Sequence, residues 1–154
     1  MEELKEFLGR SPFFAGLWDT GIEWVAQTLV ERKVPAGTRV FEEGAPGCSM
    51  YVVKSGRLSA RQGRSCCLMR FGAGDFFGEM TLIEMQPRPF SVVADEDAVL
   101  YELTNMDLYR LYQQDVKAYV LILQNLNREL SRRLRRAGDR IAVHETAAPP
   151  AAVP

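Results

Sequence analysis

The chain has 154 residues, 47% hydrophobic and 25% charged, with a formal net charge of −1. This is the composition of one ordinary globular domain, which at such a length buries roughly 68–70% of its unfolded surface without covalent staples, and the near-neutral charge excludes a global attraction to nucleic acid or anionic lipid. Three cysteines, Cys48, Cys66 and Cys67, spell neither a disulfide framework nor a zinc site and point to a reducing compartment.

The N-terminal stretch MEELKEFLGR is acidic where a secretory signal is basic. The longest apolar run, Ala118–Leu123, is far too short to span a bilayer, so the chain is expected to be cytoplasmic, with no membrane partner. Residues 2–8 predict a short helix with Leu4, Phe7 and Leu8 on one face, followed by a turn at Ser11-Pro12-Phe13-Phe14. A second helix is predicted over 19–30, where Ile22, Val25, Ala26 and Leu29 recur at helical spacing behind a cap at Asp19 or Thr20.

From 30 to 104 short apolar stretches alternate with glycine: Pro35-Ala36-Gly37, Glu43-Gly44-Ala45-Pro46-Gly47, Ser55-Gly56, Gln62-Gly63, Gly72-Ala73-Gly74 and Gly78. Strands are predicted at 38–42, 49–54, 57–61, 65–71, 90–94 and 98–103. Turn signals at this frequency, with no helix-length segment between the strands, predict an antiparallel barrel or sandwich of about eight strands and argue against a parallel α/β sheet. Cys66 and Cys67 on one strand must face opposite ways, which predicts one core and one exposed thiol.

The helical period returns after Thr104. A helix through Gln114, capped by Thr104 or Asn105, carries Leu108, Leu111 and Tyr112 inward, and a long helix follows over 115–141. Its apolar stripe (Val116, Tyr119, Leu123, Leu126, Leu130, Leu134, Ala137) approaches a heptad seam and predicts a homodimer, while Val120, Leu121 and Ile122 predict burial of its first half on two sides. Residues 128–140 set six arginines against Glu129 and Asp139, a local charge of +4; a solvated face outside the seam is the simplest reading. The division is therefore one domain over 1–144 (helices 2–30, barrel 30–104, helices 105–141) and a disordered Ala/Pro-rich tail at 145–154.

The chemistry concentrates in Phe71–Ala94, FGAGDFFGEMTLIEMQPRPFSVVA. Gly78 permits close approach of a backbone N–H to a ligand. The Glu79 carboxylate offers acceptors for sugar hydroxyls, and Arg88 a planar fork for a phosphate. A carboxylate and a guanidinium bracketing one short helix can grip the ribose and phosphate of a single nucleotide; taken singly, each is more commonly a surface residue. The spacing of Gly72, Gly74 and Gly78 is not the dinucleotide-binding fingerprint.

This stretch resembles the phosphate-binding cassette of cyclic-nucleotide-binding domains, the family of the catabolite activator protein and the regulatory subunit of protein kinase A. Phe77-Gly78-Glu79-Met80-Thr81-Leu82, then Pro87-Arg88 with Ser91-Val92-Val93-Ala94, follow the family's ordered pattern. Pro35-Ala36-Gly37-Thr38, Glu43-Gly44 and Met50–Leu58 look like its early strands, so the resemblance extends over about 10–140. It implies a mainly β fold with helical ends, a jelly-roll-like double-stranded β-helix, a short cassette helix and closing C-terminal helices. It also implies a sensor of cAMP or cGMP that signals through those helices to an effector protein the sequence does not name.

Carried across residue by residue, the resemblance places ligand binding on Phe77, Gly78, Glu79, Met80, Thr81, Arg88, Pro89 and Phe90. Glu79 would take the ribose 2′-hydroxyl, Arg88 the cyclic phosphate, and the Gly78 region would add backbone contacts. Pro89 departs from the pattern: it stands where the family has a small residue whose N–H bonds the phosphate, and proline has none. Losing that donor is expected to cost about 1–3 kcal/mol, one to two decades of affinity. With Phe90 beside it, the substitution keeps open a second reading, a ligand-free docking or dimerisation module on the same barrel. No enzyme is expected: the single histidine, His144, lies by the tail, and the cysteines have no partner base. No metal site is expected either. Residue 154 leaves no length for a helix-turn-helix domain, so sequence-specific DNA binding is not expected.

Overall fold

The computed structural model describes residues 2–63 and 66–147. In chain order its elements are α1 (Glu2–Arg10), a 3-10 turn (Pro12–Phe14), α2 (Asp19–Thr28), β1 (Val30–Val34), β2 (Arg39–Phe41), β3 (Ser49–Ser55), β4 (Leu58–Gln62), β5 (Cys66–Phe71), β6 (Phe76–Phe77), α3 (Glu79–Glu84), β7 (Ser91–Ala94), β8 (Ala98–Thr104), α4 (Asn105–Gln114) and α5 (Val116–Ala147). The strands form two antiparallel four-stranded sheets, ordered β1-β8-β3-β6 and β2-β7-β4-β5. The expected eight-stranded antiparallel barrel with helical ends is the fold observed.

Alternation along the strands divides the interior in two. Met50 and Val52 of β3, with Tyr101 and Leu103 of β8, face a helical layer of α1, α2, α4 and α5, where Leu8, Phe13, Phe14, Val25, Leu111, Ala118 and Ile122 are buried. Val53 of β3 and Ala98 and Leu100 of β8 face the barrel interior with Leu58, Phe71, Phe77, Phe90 and Val92. Phe76 joins the first core and its neighbour Phe77 the second. Each fully buried large side chain contributes about 1.5–3 kcal/mol to holding its core together.

Local signals set the helix positions. Pro12 sits at the first position of its turn, where an amide N–H has no partner to lose. A capping box opens α4: the Asp107 N–H donates to Thr104 Oγ1 at 3.2 Å and the Thr104 N–H to Asp107 Oδ2 at 3.0 Å. The buried Asn125 of α5 donates through Nδ2 to Phe13 O and Ala15 O at 3.1 and 2.8 Å, tying the long helix to the 3-10 turn.

Several expectations change. Helix α2 stops at Thr28 and β1 follows, a strand the sequence does not predict because Val30-Glu31-Arg32-Lys33-Val34 has no apolar face; it is an edge strand with four exposed residues. The two-residue β6 was also not predicted. Helix α5 continues past 141 to Ala147, because no helix breaker precedes Pro149; the rest of the expected tail, 148–154, lies outside the described residues. Cys67 is exposed, and the side chain of Cys66 lies outside the described set. Of the stripe on α5, Leu126 is buried and Tyr119, Leu123 and Leu130 pack against the chain's own core. The large apolar side chains that α5 leaves exposed include Val116, Val120, Leu134 and Ile141. Among the described residues no helix is long and apolar enough to cross a membrane.

Candidate functional site

The site is built where β6 turns into α3. Gly78 makes that turn in the left-handed region, φ 83°, and its missing side chain matters twice: a Cβ there would stand 2.8 Å from Arg88 Nη1 and 3.2 Å from Ser49 O. The turn delivers Glu79 at the first position of α3, 2% exposed. Across it, the loop before β3 holds the Arg88 backbone from both sides, the Arg88 N–H donating to Ala45 O at 2.9 Å and the Gly44 N–H to Arg88 O at 2.8 Å.

Arg88 is 3% exposed, and its guanidinium is held by the chain itself. Nη1 donates to Gly78 O (2.9 Å) and Thr81 Oγ1 (3.1 Å), and Nη2 to Ser49 O (2.8 Å). The Phe41 ring centroid lies 4.1 Å from Cζ, within cation–π range. Gly47 closes the other side: a Cβ there would lie 2.3 Å from Nε and 2.5 Å from Cζ. Burial pulls the guanidinium below its usual range, with Tyr51 and Glu79 among the groups opposing the shift; it remains a cation.

Glu79 receives a partner from the far end of the chain. Arg133 of α5 donates through Nη1 to Glu79 Oε1 at 3.2 Å and through Nη2 to Phe76 O, its Cζ 4.6 Å from the Phe76 ring centroid. Burial pushes the Glu79 carboxyl above its ordinary range, against the opposing charges of Arg133 and Arg88. Two polar atoms of this cluster are buried without a hydrogen-bond partner among the described residues, Glu79 Oε2 and Arg88 Nε. Each such group destabilises the fold by about 1–3 kcal/mol, more when charged. One is an acceptor and the other a donor, so a molecule with a hydroxyl and an anionic oxygen satisfies both.

Beside the cluster, a cavity of about 510 Å3 opens between β5 and the C-terminal half of α5, its lining including Leu68, Phe71, Asp75, Arg133, Arg136 and Arg140. Arg140 Nη1 reaches across to Leu68 O at 3.0 Å. No group of three or more side chains able to hold a metal ion occurs among the described residues.

The eight residues singled out from the sequence therefore divide. Gly78, Glu79, Thr81 and Arg88 meet in one polar cluster. Phe77 and Phe90 belong to the barrel core, with Met80 packed against it. Pro89 is half-buried next to Arg88. Sequence reasoning missed Arg133, Gly47 and Phe41. A signal for Arg133 existed: Ala118, Ile122 and Leu126 define the buried face of α5, and Arg133 lies seven residues beyond Leu126 on that face.

Comparison with known proteins gives a consistent answer. The family model for the cyclic nucleotide-binding domain matches residues 31–115. The chain is 33% identical over 131 residues to the cyclic AMP receptor protein of Thermus thermophilus, 82% of this chain and 59% of that one. It is 35% identical over 106 residues to the cAMP-dependent protein kinase regulatory subunit of Aspergillus fumigatus, 68% of this chain and 26% of that one. It therefore spans little more than half the first relative and about a quarter of the second. A solved cyclic nucleotide-binding domain from Methylobacillus flagellatus superposes with a TM-score of 0.82 at 24% identity, covering 93% of this chain and 83% of that one, a likeness of fold.

Proposed function

The chain belongs to the cyclic nucleotide-binding domain family, and we propose that its barrel binds a cyclic mononucleotide, cAMP or cGMP, and passes the binding state to a partner through the C-terminal helices. Glu79 Oε2 accepts from the ribose hydroxyl, and Arg88 meets the cyclic phosphate with Nε, the Gly78 turn shaping the backbone around it. One observation carries this reading: a buried acceptor and a buried donor, neither with a hydrogen-bond partner among the described residues, belong to the polar cluster where the family's motif falls. A ligand that supplies a hydroxyl and a phosphate converts two destabilising groups into charge-assisted hydrogen bonds.

Signalling follows from the placement of Arg133. It holds Glu79 by Oε1 while Oε2 is left for the ligand, so one carboxylate answers to both barrel occupancy and the position of α5. The ligand shifts α5 only as far as its affinities for the two arrangements differ. The exposed Val116, Val120, Leu134 and Ile141 along α5 support a homodimer through that helix. Residues 1–144 then act as one cytoplasmic regulatory unit, not an enzyme.

A second reading, the ligand-free docking or dimerisation module, is favoured by the three donors that Arg88 already commits to Gly78, Thr81 and Ser49, and by Pro89. Calorimetric titration with cAMP and cGMP separates the two. Micromolar or tighter binding that Arg88→Ala abolishes supports the sensor; no heat up to about millimolar ligand from folded protein favours the docking module. Ligand that binds only the folded state must also raise the melting temperature.

A further inference from the structure

We propose that Thr81 is a positioning residue for Arg88, and that its hydroxyl sets the selectivity of the site for a 3′,5′-cyclic nucleotide over the open 5′-monophosphate; this rests on the cyclic-nucleotide reading above. The two groups that meet the ligand stand on separate pieces of chain. Glu79 opens α3, and Thr81 follows it in the same turn. Arg88 lies beyond the end of that helix, its backbone hung on the loop before β3 through Ala45 O and the Gly44 N–H, at 2.9 and 2.8 Å. The guanidinium returns to the cassette through one nitrogen: Nη1 donates to Gly78 O at 2.9 Å and to Thr81 Oγ1 at 3.1 Å. Among the described residues, the Thr81 bond is the only hydrogen bond between this guanidinium and a residue of α3. Thr81 is buried, so bulk water does not replace its hydroxyl.

The separation of the carboxylate from the guanidinium matters because the two kinds of ligand differ in stiffness. In a 3′,5′-cyclic nucleotide the phosphate is closed into a ring fused to the ribose, which holds the 2′-hydroxyl and the phosphate oxygens at one spacing. In a 5′-monophosphate the phosphate turns about the bonds at C5′ and follows the guanidinium wherever it stands. A site locked at one spacing favours the rigid ligand, which has little conformational freedom left to lose on binding. A guanidinium released from α3 gives up that advantage and still meets a mobile phosphate. Valine at position 81 keeps the branched shape of threonine and removes the acceptor, leaving Nη1 with Gly78 O alone; serine keeps the hydroxyl.

The test titrates the full chain calorimetrically with cAMP, cGMP, 5′-AMP and 5′-GMP, in the unaltered protein and in Thr81→Val and Thr81→Ser, each checked for folding by its thermal transition. In the unaltered chain the cyclic nucleotide is expected to bind about tenfold or more tighter than its open counterpart. Thr81→Val should weaken the cyclic nucleotide about tenfold or more, as for one hydrogen bond to a charged group, and the 5′-monophosphate no more than about twofold. Thr81→Ser should keep the parent ratio. A loss shared equally by both ligands makes Thr81 a structural residue and overturns the inference. Unchanged or tighter cyclic-nucleotide binding in Thr81→Val overturns it too, as does a Thr81→Ser chain that loses the ratio. Should Thr81→Val not fold, Thr81→Ala takes its place against Thr81→Ser, with the same outcomes. If the folded parent chain binds neither cyclic nucleotide, the cyclic-nucleotide reading fails first and the inference with it; if it binds them no better than the open forms, the inference alone fails.

Discussion

Replacing Gly47 by alanine tests how Arg88 is held. A Cβ at this position would stand 2.3 Å from Arg88 Nε, 2.5 Å from Cζ and 2.6 Å from Nη2, with Nη1 absent from the three closest contacts. The guanidinium must therefore swing away from the Nη2 side, and its bond to Ser49 O is the first lost. One hydrogen bond from a charged group is worth about 1.5–3 kcal/mol, which corresponds to a fall in melting temperature of about 3–12 °C for a chain of this size. Gly47 is not in the left-handed region, so the substitution carries no backbone penalty of its own. In an Arg88→Ala background the collision partner is gone, and Gly47→Ala should then be neutral or stabilising by about 0.4–1 kcal/mol through the unfolded state. The assay is a double-mutant cycle by thermal and urea denaturation. An equal loss of stability in both backgrounds would refute the reasoning, because the effect would then arise from the loop and not from the guanidinium.

Three further outcomes follow from the same cluster. Glu79 has its folded pKa raised, so its contribution to stability is fully present below the unfolded value and lost as pH rises through the folded one; the stability of the unaltered chain relative to Glu79→Gln should fall from about pH 4 toward neutrality, and a flat difference across that range would contradict the burial. Arg133→Met leaves Glu79 as a buried charge without its α5 partner, and removing one member of a buried pair costs about 3–5 kcal/mol at most; chemical denaturation of the ligand-free protein should show a loss of 1 kcal/mol or more, about the value of one hydrogen bond, and no loss would remove Arg133 from the mechanism. Leu134 is 74% exposed on α5; Leu134→Glu should convert the homodimer to monomer by light scattering while leaving the melting transition of the monomer within about 0.5 kcal/mol, and a monomeric parent chain would end the dimer proposal.

The barrel was legible because its turns are written in glycine and its strands in short apolar runs, and because the Gly78-Glu79 and Pro87-Arg88 steps occur in a fixed order. What could not be read has identifiable causes. β1 carries Glu31, Arg32 and Lys33 on an exposed edge, so its pairing with β8 is a tertiary choice with no local apolar signature. Among the arginines of 128–140, the heptad step from Leu126 marks Arg133 as inward, but its partner Glu79 is set by the packing of α5 against a core built from α1, α2 and the 3-10 turn, which no local pattern records. The same core consumes the middle of the α5 stripe, which the heptad spacing alone assigned to a partner. Gly47 reads as loop punctuation; its importance lies in the side chain that passes over it from forty-one positions further on.

The partition of β3 and β8 between two cores has a mechanical consequence. Successive residues of these strands belong to different packing units, so the barrel can keep its side chains interlocked while the helical layer slides or loosens on the opposite face. In hydrogen-exchange language they should behave as two foldons sharing a strand pair, with the helical layer exchanging faster than the barrel. Phe76 and Phe77 carry the seam to the doorstep of Glu79, one ring in each unit. A perturbation at that carboxylate is therefore felt first along the parting line between the units, where displacement requires the least repacking.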